Sequence, residues 1–372
     1  MHIGVPKEIK NHEYRVGMTP TSVREMVDHG HEVTVESHCG EGIGRSDDDY
    51  RAAGARVVDD PASVFADCDM IVKVKEPQAV ERKMLREGQV LFTYLHLAPD
   101  PDQTRDLVDS GAICIAYETV TGAQGGLPLL APMSKVAGRM AVQAGAYALE
   151  HPHGGLGVLL GGVPGVDPAK VVIIGAGTVG SHATHIAVGM GADVWVLDRN
   201  PDMLEKHWQQ FGRTTNSVFS TADALEHHVL TADLVIGAVL VPGASAPKLI
   251  TREMVAKMKP GAVFVDVAID QGGCSETSHA TTHAEPTYIV DDVVHYCVAN
   301  MPGGVPRTST YALNNVTLPY MLALADKGYK QALQDDRHLL AGLNVCKGHV
   351  TYQEVADTLG YAYRDPLAAL DG

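Results

Sequence analysis

Apolar and polar positions along the first 120 residues alternate between short apolar runs and longer amphipathic segments. The helical segments, such as 19–29 and 101–110, are each followed by a glycine, as helix C-termini often are. Strand signals separated by helical signals indicate βαβ units and a parallel sheet, so the pattern predicts an α/β fold. The apolar runs expected to be strands are 2–5, 32–36, 55–58, 70–75, 90–95 and 112–116.

A glycine-rich motif follows in the middle of the chain. The apolar run VVII leads into Gly175-Ala-Gly177-Thr-Val-Gly180, a helical segment follows, and the next apolar run ends on Asp198. The first glycine permits a tight turn, the second lets the backbone approach a pyrophosphate, and the third lets helix and strand pack closely. The helix N-terminus favours phosphate, and the acid accepts from a ribose 2′-hydroxyl. The motif predicts a dinucleotide site, with a tight turn that binds no ligand as the alternative.

The segments after this motif predict a second domain of the same class. Its later strands are expected at 234–239, 262–269 and 295–299, and the polar stretch 270–286 is expected to be a surface loop. Two histidines in that loop, His279 and His283, are four residues apart, but the loop lacks the helical pattern that would align them for a metal.

Other segments predict the connections. Residues 156–166, LGVLLGGVPGV, carry turn signals that favour a β-hairpin. A long helix over 134–150 has Ser134 as its expected N-cap. Its small residues indicate either a close domain or subunit contact or an ordinary buried helix. A second long helix, 308–326, contains a proline, Pro319, that predicts a kink.

These predictions combine into two α/β domains, each with a largely parallel sheet, joined by long helices. The outer, substrate-binding domain is expected to be discontinuous, formed by residues 1–128 and 307–372, because the last segment is too short to fold alone. A Rossmann domain that binds a dinucleotide, residues 129–306, is expected to be inserted into it. The cleft between the two domains is the expected place for the chemistry.

Composition and charge exclude several classes of protein. The chain has 372 residues, enough for a large core, and its formal net charge of −16 disfavours nucleic acid and anionic membranes as partners. Six cysteines without CxxC spacing indicate neither a disulfide framework nor a zinc site, so we predict no metal. The sequence opens directly into an apolar strand, with no leader and no membrane-spanning run, which predicts a soluble cytoplasmic protein.

Two strand ends in the first domain carry residues with useful chemistry. The run 70–75 ends on Lys75, and the run 90–95 is followed by His96. Ligands of parallel sheets gather at the carboxyl ends of strands, so both side chains are candidates for a substrate site. Lys73 would share a face with Lys75, and only its position at the end of the run favours Lys75. A solvated lysine and a structural histidine are the alternatives.

Further candidates also follow predicted strands. Arg15 lies in the loop after the first strand, where its guanidinium is suited to a bidentate carboxylate clamp, although a surface arginine is the commoner explanation. In the second domain, Asp270 follows one strand, and Asn300 with Met301 follow the next. We expect these positions to face the nicotinamide side of the cleft.

Taken together, these residues and the motifs around them resemble the alanine dehydrogenase family, within a broader group that includes transhydrogenase nucleotide-binding proteins. The likeness extends over almost the whole chain and is weakest in the final thirty residues. The segments that carry it are IGVPKEIKNHEYRVGMTP, VKVKEP, TYLHLA, PMSKVAGRMAVQAGA, LLGGVPGV, VVIIGAGTVG, DLVIGAVLVPGASAPKLIT, VDVAIDQGGC and YCVANMPGGVPRTSTYALNN.

The resemblance implies reversible oxidative deamination of L-alanine to pyruvate and ammonia with NAD, by a protein that is typically a homohexamer. It implies Arg15 and Lys75 as substrate-binding residues, His96 as the catalytic acid/base and Asp270 as its catalytic partner. The cofactor contacts that it implies are Ser134, Gly175, Gly177, Thr178, Val179, Gly180, Asp198, Val239, Ile269, Asn300 and Met301.

The implied chemistry gives each side chain a role. Hydride moves from the alanine Cα to the nicotinamide, so the two must be held in near contact. Water attacks the resulting iminium, and the imidazole of His96 is suited to taking and returning protons near neutral pH. Asp270 would orient water or stabilise the cation. Arg15 and Lys75 would neutralise the carboxylate, and Lys75 would polarise the carbonyl in the reverse direction.

Three alternatives to this function stay open. A transhydrogenase-like nucleotide-binding protein shares the fold, although Arg15, Lys75 and His96 at strand ends argue against it. The others are a reductase of another small 2-oxo acid such as glyoxylate, and an NAD sensor without catalysis. Arg199 favours the 2′-phosphate of NADP, but Asp198 directly before it would repel that phosphate, so NAD is the expected cofactor.

Overall fold

The computed structural model describes residues 1–239 and 246–371, which form two compact units. One unit combines Met1–Met133 with Gly303–Gly372, and the other consists of Ser134–Pro302. The boundaries expected from the sequence, 128/129 and 306/307, lie a few residues away. Part of the motif DLVIGAVLVPGASAPKLIT, residues 240–245, and the last residue of the expected outer domain, Gly372, lie outside the described residues.

Strands and helices alternate through both units. The strands are β1 (His2–Val5), β2 (Glu32–Glu36), β3 (Arg56–Val58), β4 (Met70–Val72), β5 (Val90–Thr93), β6 (Ile113–Ala116), β7 (Lys170–Ile174), β8 (Asp193–Asp198), β9 (Asn216–Phe219), β10 (Leu234–Gly237), β11 (Val263–Asp266), β12 (Thr287–Val290), β13 (Val293–Tyr296), β14 (Leu343–Cys346) and β15 (His349–Val350). The helices are α1 (Pro20–Asp28), α2 (Asp47–Ala52), α3 (Pro61–Asp67), α4 (Ala79–Arg82), α5 (Pro101–Ser110), α6 (Ala131–Ala148), α7 (Thr178–Gly189), α8 (Pro201–Phe211), α9 (Ala222–Thr231), α10 (Arg252–Lys257), α11 (Pro306–Lys327), α12 (Tyr329–Asp335), α13 (Arg337–Leu340), α14 (Gln353–Leu359) and α15 (Pro366–Asp371).

The first unit is built on a sheet with the strand order β15-β14-β6-β5-β4-β1-β2-β3. Strands β1 to β6 pair in parallel, whereas β14 pairs antiparallel with β6 and β15 antiparallel with β14. Because β5, β4 and β1 are neighbours and parallel, the loops that leave their carboxyl ends lie side by side at one edge of the sheet. Those loops carry His96, Lys75 and Arg15, respectively.

The second unit is built on a sheet with the order β12-β13-β11-β10-β7-β8-β9. All neighbours pair in parallel except β12, which runs antiparallel at one edge. The chain reverses its direction across the sheet between β7 and β10, and the glycine motif follows β7. This is the strand order of the Rossmann fold, whose ligands bind at that switch point. The predicted α/β fold with two largely parallel sheets is confirmed.

Helices cover the central strands on both faces, which explains why those strands are continuous apolar runs. Val171, Val172 and Ile173 of β7 are fully buried, and β4, β5, β6 and β11 are buried along their whole length. The small residues of α6 serve this packing. A Cβ on Gly138 would lie 2.2 Å from the carbonyl oxygen of Val179, and one on Gly145 would lie 2.6 Å from the side chain of Leu234. At these two positions α6 therefore packs closely within the second unit.

Two local predictions are wrong. Helix α6 begins at Ala131, whose N–H donates to the carbonyl of Leu127, so Ser134 lies inside the helix and is not its N-cap. A proline, Pro132, occupies the first turn, where its missing N–H is tolerated. The expected hairpin over 156–166 is also absent, since the described residues show only an isolated bridge between Val163 and Val166 there. Glycine turn signals without a paired strand on either side do not make a hairpin.

The C-terminal part of the chain begins with α11, which continues through Pro319 as one helix. Its later strand β14 adds to the first sheet, with Cys346 opposite Ile113. Among the described residues, no helix has both the length and the apolar character needed to cross a bilayer.

Candidate functional site

The glycine motif between β7 and α7 has the geometry that its spacing predicts. Gly175 has φ +107°, and a Cβ there would lie 2.6 Å from the carbonyl oxygen of Ala238. A Cβ on Gly180 would lie 1.8 Å from the carbonyl oxygen of Gly175. At Gly177, by contrast, no heavy atom from elsewhere in the described residues lies within 4 Å of the Cβ position. Two glycines are thus required by the close packing, and the third is not crowded by any described residue at the start of α7.

Asp198, at the end of β8, is joined to this motif by hydrogen bonds. Its carboxylate accepts from the N–H of Ala176 at 2.7 Å and from the N–H of Asn200 at 2.8 Å. The first N–H groups of α7 have no carbonyl partner within the helix, because an α-helix leaves its first turn unpaired. An uncrowded glycine, as far as the described residues show, N–H donors and an acid at the neighbouring strand end fit the pyrophosphate and ribose of a dinucleotide.

The remaining residues implied for the cofactor lie in the same unit. Val239 follows β10, Ile269 lies in the 3₁₀ turn Val267–Gln271 after β11, and Asn300 and Met301 follow β13. These strands are neighbours of β7 in the order β13-β11-β10-β7, so their carboxyl ends share one edge of the sheet. Ser134 lies on α6, at the start of the unit.

Asp270 and Asn300 are brought together within this unit. The Asp270 carboxylate is exposed and accepts from the N–H of Asn300 at 3.1 Å. Asn300 has φ +57°, a left-handed conformation that is uncommon for non-glycine residues and is typical of functional loops. Asp270 sits on the 3₁₀ turn Val267–Gln271, which begins after Asp266.

Asp266 is a buried carboxylate that sequence reasoning did not single out. It accepts from the N–H of Ala268 at 3.1 Å, the N–H of Cys274 at 2.9 Å and the hydroxyl of Ser278 at 2.5 Å. It therefore fixes both ends of the segment that carries Asp270. A sequence signal for it existed, because it ends an apolar run as Asp198 does.

The two loop histidines have structural partners. His279 stacks on Tyr288 with ring centroids 3.7 Å apart, and the ring of His283 meets the carbonyl oxygen of Asn300 at 3.3 Å. In the part of the chain that the structure describes, no three His, Cys, Asp or Glu side chains are arranged to hold a metal ion.

Arg15, in the first unit, is buried and not on the surface. Its Nε and Nη2 donate to the two oxygens of Glu13 at 2.7 and 2.6 Å, and its Nη1 lies 3.0 Å from Sδ of Met133. Burial acts to lower the pKa of the Arg15 guanidinium, but the bonds to Glu13 outweigh burial and raise it. The edge of the guanidinium formed by Nε and Nη2 is thus bound by Glu13, a partner that the sequence did not reveal.

Lys73 and Lys75, which the sequence could not distinguish, are separated by the structure. Lys73 is fully buried, and its Nζ lies 3.1 Å from Glu8 and 2.7 Å from Glu81. The Lys75 side chain is 14% exposed, with its Nζ 4.0 Å from Glu76. Lys73 is therefore a buried ion-pair residue, and Lys75 is the lysine that can meet a ligand. Strand β4 ends at Val72, so Lys75 is three residues beyond the strand and not at its end.

His96 lies three residues beyond the end of β5 in a left-handed conformation, with φ +49°. Its side chain is 44% exposed, and its ring stacks on Tyr94 with centroids 5.9 Å apart. The carboxylate of Glu118 accepts from the N–H of His96 at 2.6 Å and from the N–H of Leu95 at 3.2 Å. An exposed imidazole on a backbone held in an uncommon conformation is typical of a functional residue.

The resemblance to the alanine dehydrogenase family implies that Arg15 binds the carboxylate of pyruvate and alanine. On that hypothesis, replacing Arg15 with lysine is expected to raise the KM for both by roughly 10- to 100-fold, because lysine keeps the charge but loses the fork that Glu13 holds. The affinity for NADH should stay unchanged, since Arg15 belongs to the other unit. Steady-state kinetics and NADH fluorescence titration measure the two effects. Arg51→Lys, which alters an exposed pair with Asp48, is the matched control. If NADH affinity falls as far as substrate affinity, Arg15 is structural.

Comparison with known proteins agrees with this geometry. The model of the alanine dehydrogenase/PNT N-terminal domain matches residues 4–137, and the model of the C-terminal domain matches residues 141–353. An alanine dehydrogenase of Halomonas elongata is 62% identical over 363 residues, which is 98% of each chain. A solved structure of an L-alanine dehydrogenase has a TM-score of 0.94 at 50% identity and covers 97% of this chain and 99% of its own.

A more distant likeness connects the chain to transhydrogenases. The crystal structure of a transhydrogenase from Sinorhizobium meliloti has a TM-score of 0.81 at 26% identity, with 95% of this chain and 99% of that one covered. Because the two family models together match most of the sequence, the chain belongs to the alanine dehydrogenase/PNT family.

Proposed function

We propose that this protein catalyses the reversible, NAD-dependent oxidative deamination of L-alanine to pyruvate and ammonia. The observation that carries the proposal is the placement of Arg15, Lys75 and His96 on loops after three neighbouring parallel strands. A guanidinium, an ammonium and an imidazole at one sheet edge suit a small acid that must also exchange protons. The high identity to alanine dehydrogenases over the full length supports the same reaction.

The residues of the first unit would act on the substrate. Arg15 and Lys75 neutralise its carboxylate, and Lys75 polarises the carbonyl of pyruvate in the reverse direction. His96 takes a proton from the attacking water and returns it in the reverse reaction. NAD, when bound, supplies the acceptor for the hydride that leaves the alanine Cα.

The residues of the second unit would hold the dinucleotide and the developing charge. The glycine motif with α7 receives the pyrophosphate, Asp198 the ribose, and Asn300 with Met301 the nicotinamide side. Ser134, Val239 and Ile269 complete the proposed contacts. Asp270 stabilises the cationic imine or orients the water, because it is a carboxylate exposed at the same sheet edge.

The decisive test is the absorbance of NADH in a solution of the purified protein, NAD and L-alanine, compared with L-serine, glycine and D-alanine. We expect reduction with L-alanine above all. A transhydrogenase-like protein would pass hydride between two nucleotides without alanine, and an NAD sensor would reduce nothing. In the reverse direction with ammonia, a larger kcat/KM for glyoxylate than for pyruvate would favour a different 2-oxo acid reductase.

Replacing Asp198 with alanine is expected to raise the KM for NAD by roughly 10- to 100-fold and to narrow the preference for NAD over NADP, because a charged acceptor for the ribose is lost. The exposed Arg199 then gains influence over a 2′-phosphate. Asp223→Ala, which removes an exposed charge from the same unit, should change neither value. Equal use of NAD and NADP by the unaltered protein would contradict the assignment.

We also propose a homohexamer in the cytoplasm. The family resemblance supports the assembly, and six buried free thiols suit a reducing compartment. Light scattering of the purified protein measures the assembly directly.

A further inference from the structure

We propose that Glu8 is a positioning residue that fixes Lys75 for the substrate carboxylate. This inference rests on the proposed function, because it assigns Glu8 a part in the same site. Glu8 lies in the loop after β1, and its side chain is almost completely buried. It does not need to touch the substrate, since it acts through the backbone of Lys75.

The backbone at Lys75 needs an acceptor that the sheet does not supply. On the β5 side, the N–H of Lys73 donates to the carbonyl of Phe92, and the hydroxyl of Thr93 donates to the carbonyl of Lys75. On the other side of β4 lies β1, which ends at Val5 and is followed by a proline. The N–H groups beyond β4 therefore have no neighbouring strand carbonyl on the β1 side.

Glu8 provides that missing acceptor. Its Oε1 accepts from the N–H of Val74 at 2.6 Å and from the N–H of Lys75 at 3.3 Å. Buried backbone N–H groups are almost always paired, so a carboxylate at this position decides the course of the chain as it leaves the strand. The loop after β1 and the loop after β4 are joined by these two bonds.

A buried ion pair holds the other oxygen of Glu8. Oε2 accepts from Nζ of Lys73 at 3.1 Å, and the same ammonium donates to Glu81 at 2.7 Å. Burial, opposed by the charge of Lys73, raises the pKa of the Glu8 carboxyl. Lys73 thus orients the carboxylate whose first oxygen faces the backbone of Lys75.

The competing explanation is that Glu8 serves only as a counter-ion for Lys73. Glu81 permits a matched comparison, because it makes the same ion pair at similar burial. Its second oxygen accepts from the N–H of Gln78 and not from the Lys75 segment. Among the described residues, removal of either carboxylate leaves Lys73 with one carboxylate partner, but only removal of Glu8 takes away the acceptor of the Lys75 N–H.

The test compares Glu8→Met, Glu8→Gln and Glu81→Met in the full-length protein. Glu8→Met, which keeps the length of the side chain but has no oxygen, should raise the KM for pyruvate about 10- to 100-fold and leave the KM for NADH unchanged. Glu8→Gln keeps an acceptor for the N–H groups and should recover most of that loss. Glu81→Met should leave the KM for pyruvate near that of the wild type, even if its melting temperature falls as far as that of Glu8→Met.

A second measurement is independent of turnover. The rate at which acetic anhydride acylates Lys75, followed by peptide mass spectrometry without substrate or cofactor, should change several-fold in Glu8→Met and not in Glu81→Met. Equal effects of the two methionine variants on KM and on labelling, or a folded Glu8→Met protein with wild-type values, would overturn the proposal. A wild-type protein that reduces no NAD with alanine would overturn the proposed function instead, and the labelling would still decide the role of Glu8.

Discussion

Replacement of His96 with alanine is expected to lower kcat by about 10²- to 10⁴-fold, the usual contribution of a general acid/base. The imidazole is 44% exposed, on the loop after β5, so its loss removes the proposed proton carrier and little buried side-chain area. NADH affinity should not change. Steady-state rates and NADH fluorescence titration measure the two effects.

Two further variants separate chemistry from backbone strain in this experiment. Asparagine tolerates the left-handed backbone conformation well. If His96→Asn and His96→Ala lose the same fraction of kcat, the loss therefore comes from the missing imidazole. His38→Ala is the matched control, because His38 has φ +62° and its N–H donates to a carboxylate, that of Asp47, at 2.8 Å. His38→Ala should keep full turnover. Near-normal turnover of folded His96→Ala would contradict the assignment of His96, but not the fold.

Replacement of Asp270 with asparagine is expected to lower kcat by about 10²- to 10³-fold, as does the loss of one electrostatic stabiliser in other enzymes. Asparagine keeps the shape and the oxygen that accepts from the N–H of Asn300, so only the charge is removed. Stopped-flow measurement of NADH formation would show whether the chemical step itself slows. Asp223→Asn removes one exposed charge from the same unit and should have no effect.

The combined variant tests whether the two residues serve one step. If His96 and Asp270 act together, the double variant should lose much less than the product of the two single losses, because effects within one catalytic unit are not additive. Fully multiplicative losses would instead place the residues in separate steps. Wild-type turnover in Asp270→Asn would remove Asp270 from the mechanism.

Carboxylates that bind backbone N–H groups recur beside the proposed site residues. Glu13 accepts from the N–H of Arg15 at 3.1 Å, Glu118 from that of His96 at 2.6 Å, and Glu8 from that of Lys75 at 3.3 Å. A chain that leaves the carboxyl end of a parallel strand also leaves the hydrogen-bond ladder, and its buried N–H groups need other acceptors. These carboxylates therefore hold the backbone of the loops that carry the proposed site residues, and pre-organised loops of this kind are how enzymes gain electrostatic stabilisation without reorganisation.

The sequence determined the elements of regular repetition. Period and composition were sufficient for the α/β class and for β1, β2 and α5, whose predicted bounds agree with the structure. The period of buried positions distinguishes a strand from a helix, and glycines follow the helical segments. Spacing was sufficient for the glycine motif. Within that motif, a Cβ atom on Gly175 or Gly180 would collide with backbone, as the spacing predicts. The ends of strands were predicted less accurately, because β4 and β5 both end earlier than the apolar runs indicate.

Tertiary structure alone decided which polar residues are buried and which partners they bind. Lys73 and Lys75 have the same alternation and similar neighbours in sequence. Only the folded chain pairs the buried ammonium of Lys73 with Glu8 and Glu81 and leaves the side chain of Lys75 14% exposed. The apolar segment 156–166 likewise has turn signals but no strand to pair with. Local sequence encodes the face and the period of an element, whereas burial of a charge and pairing of a backbone group depend on partners far away along the chain.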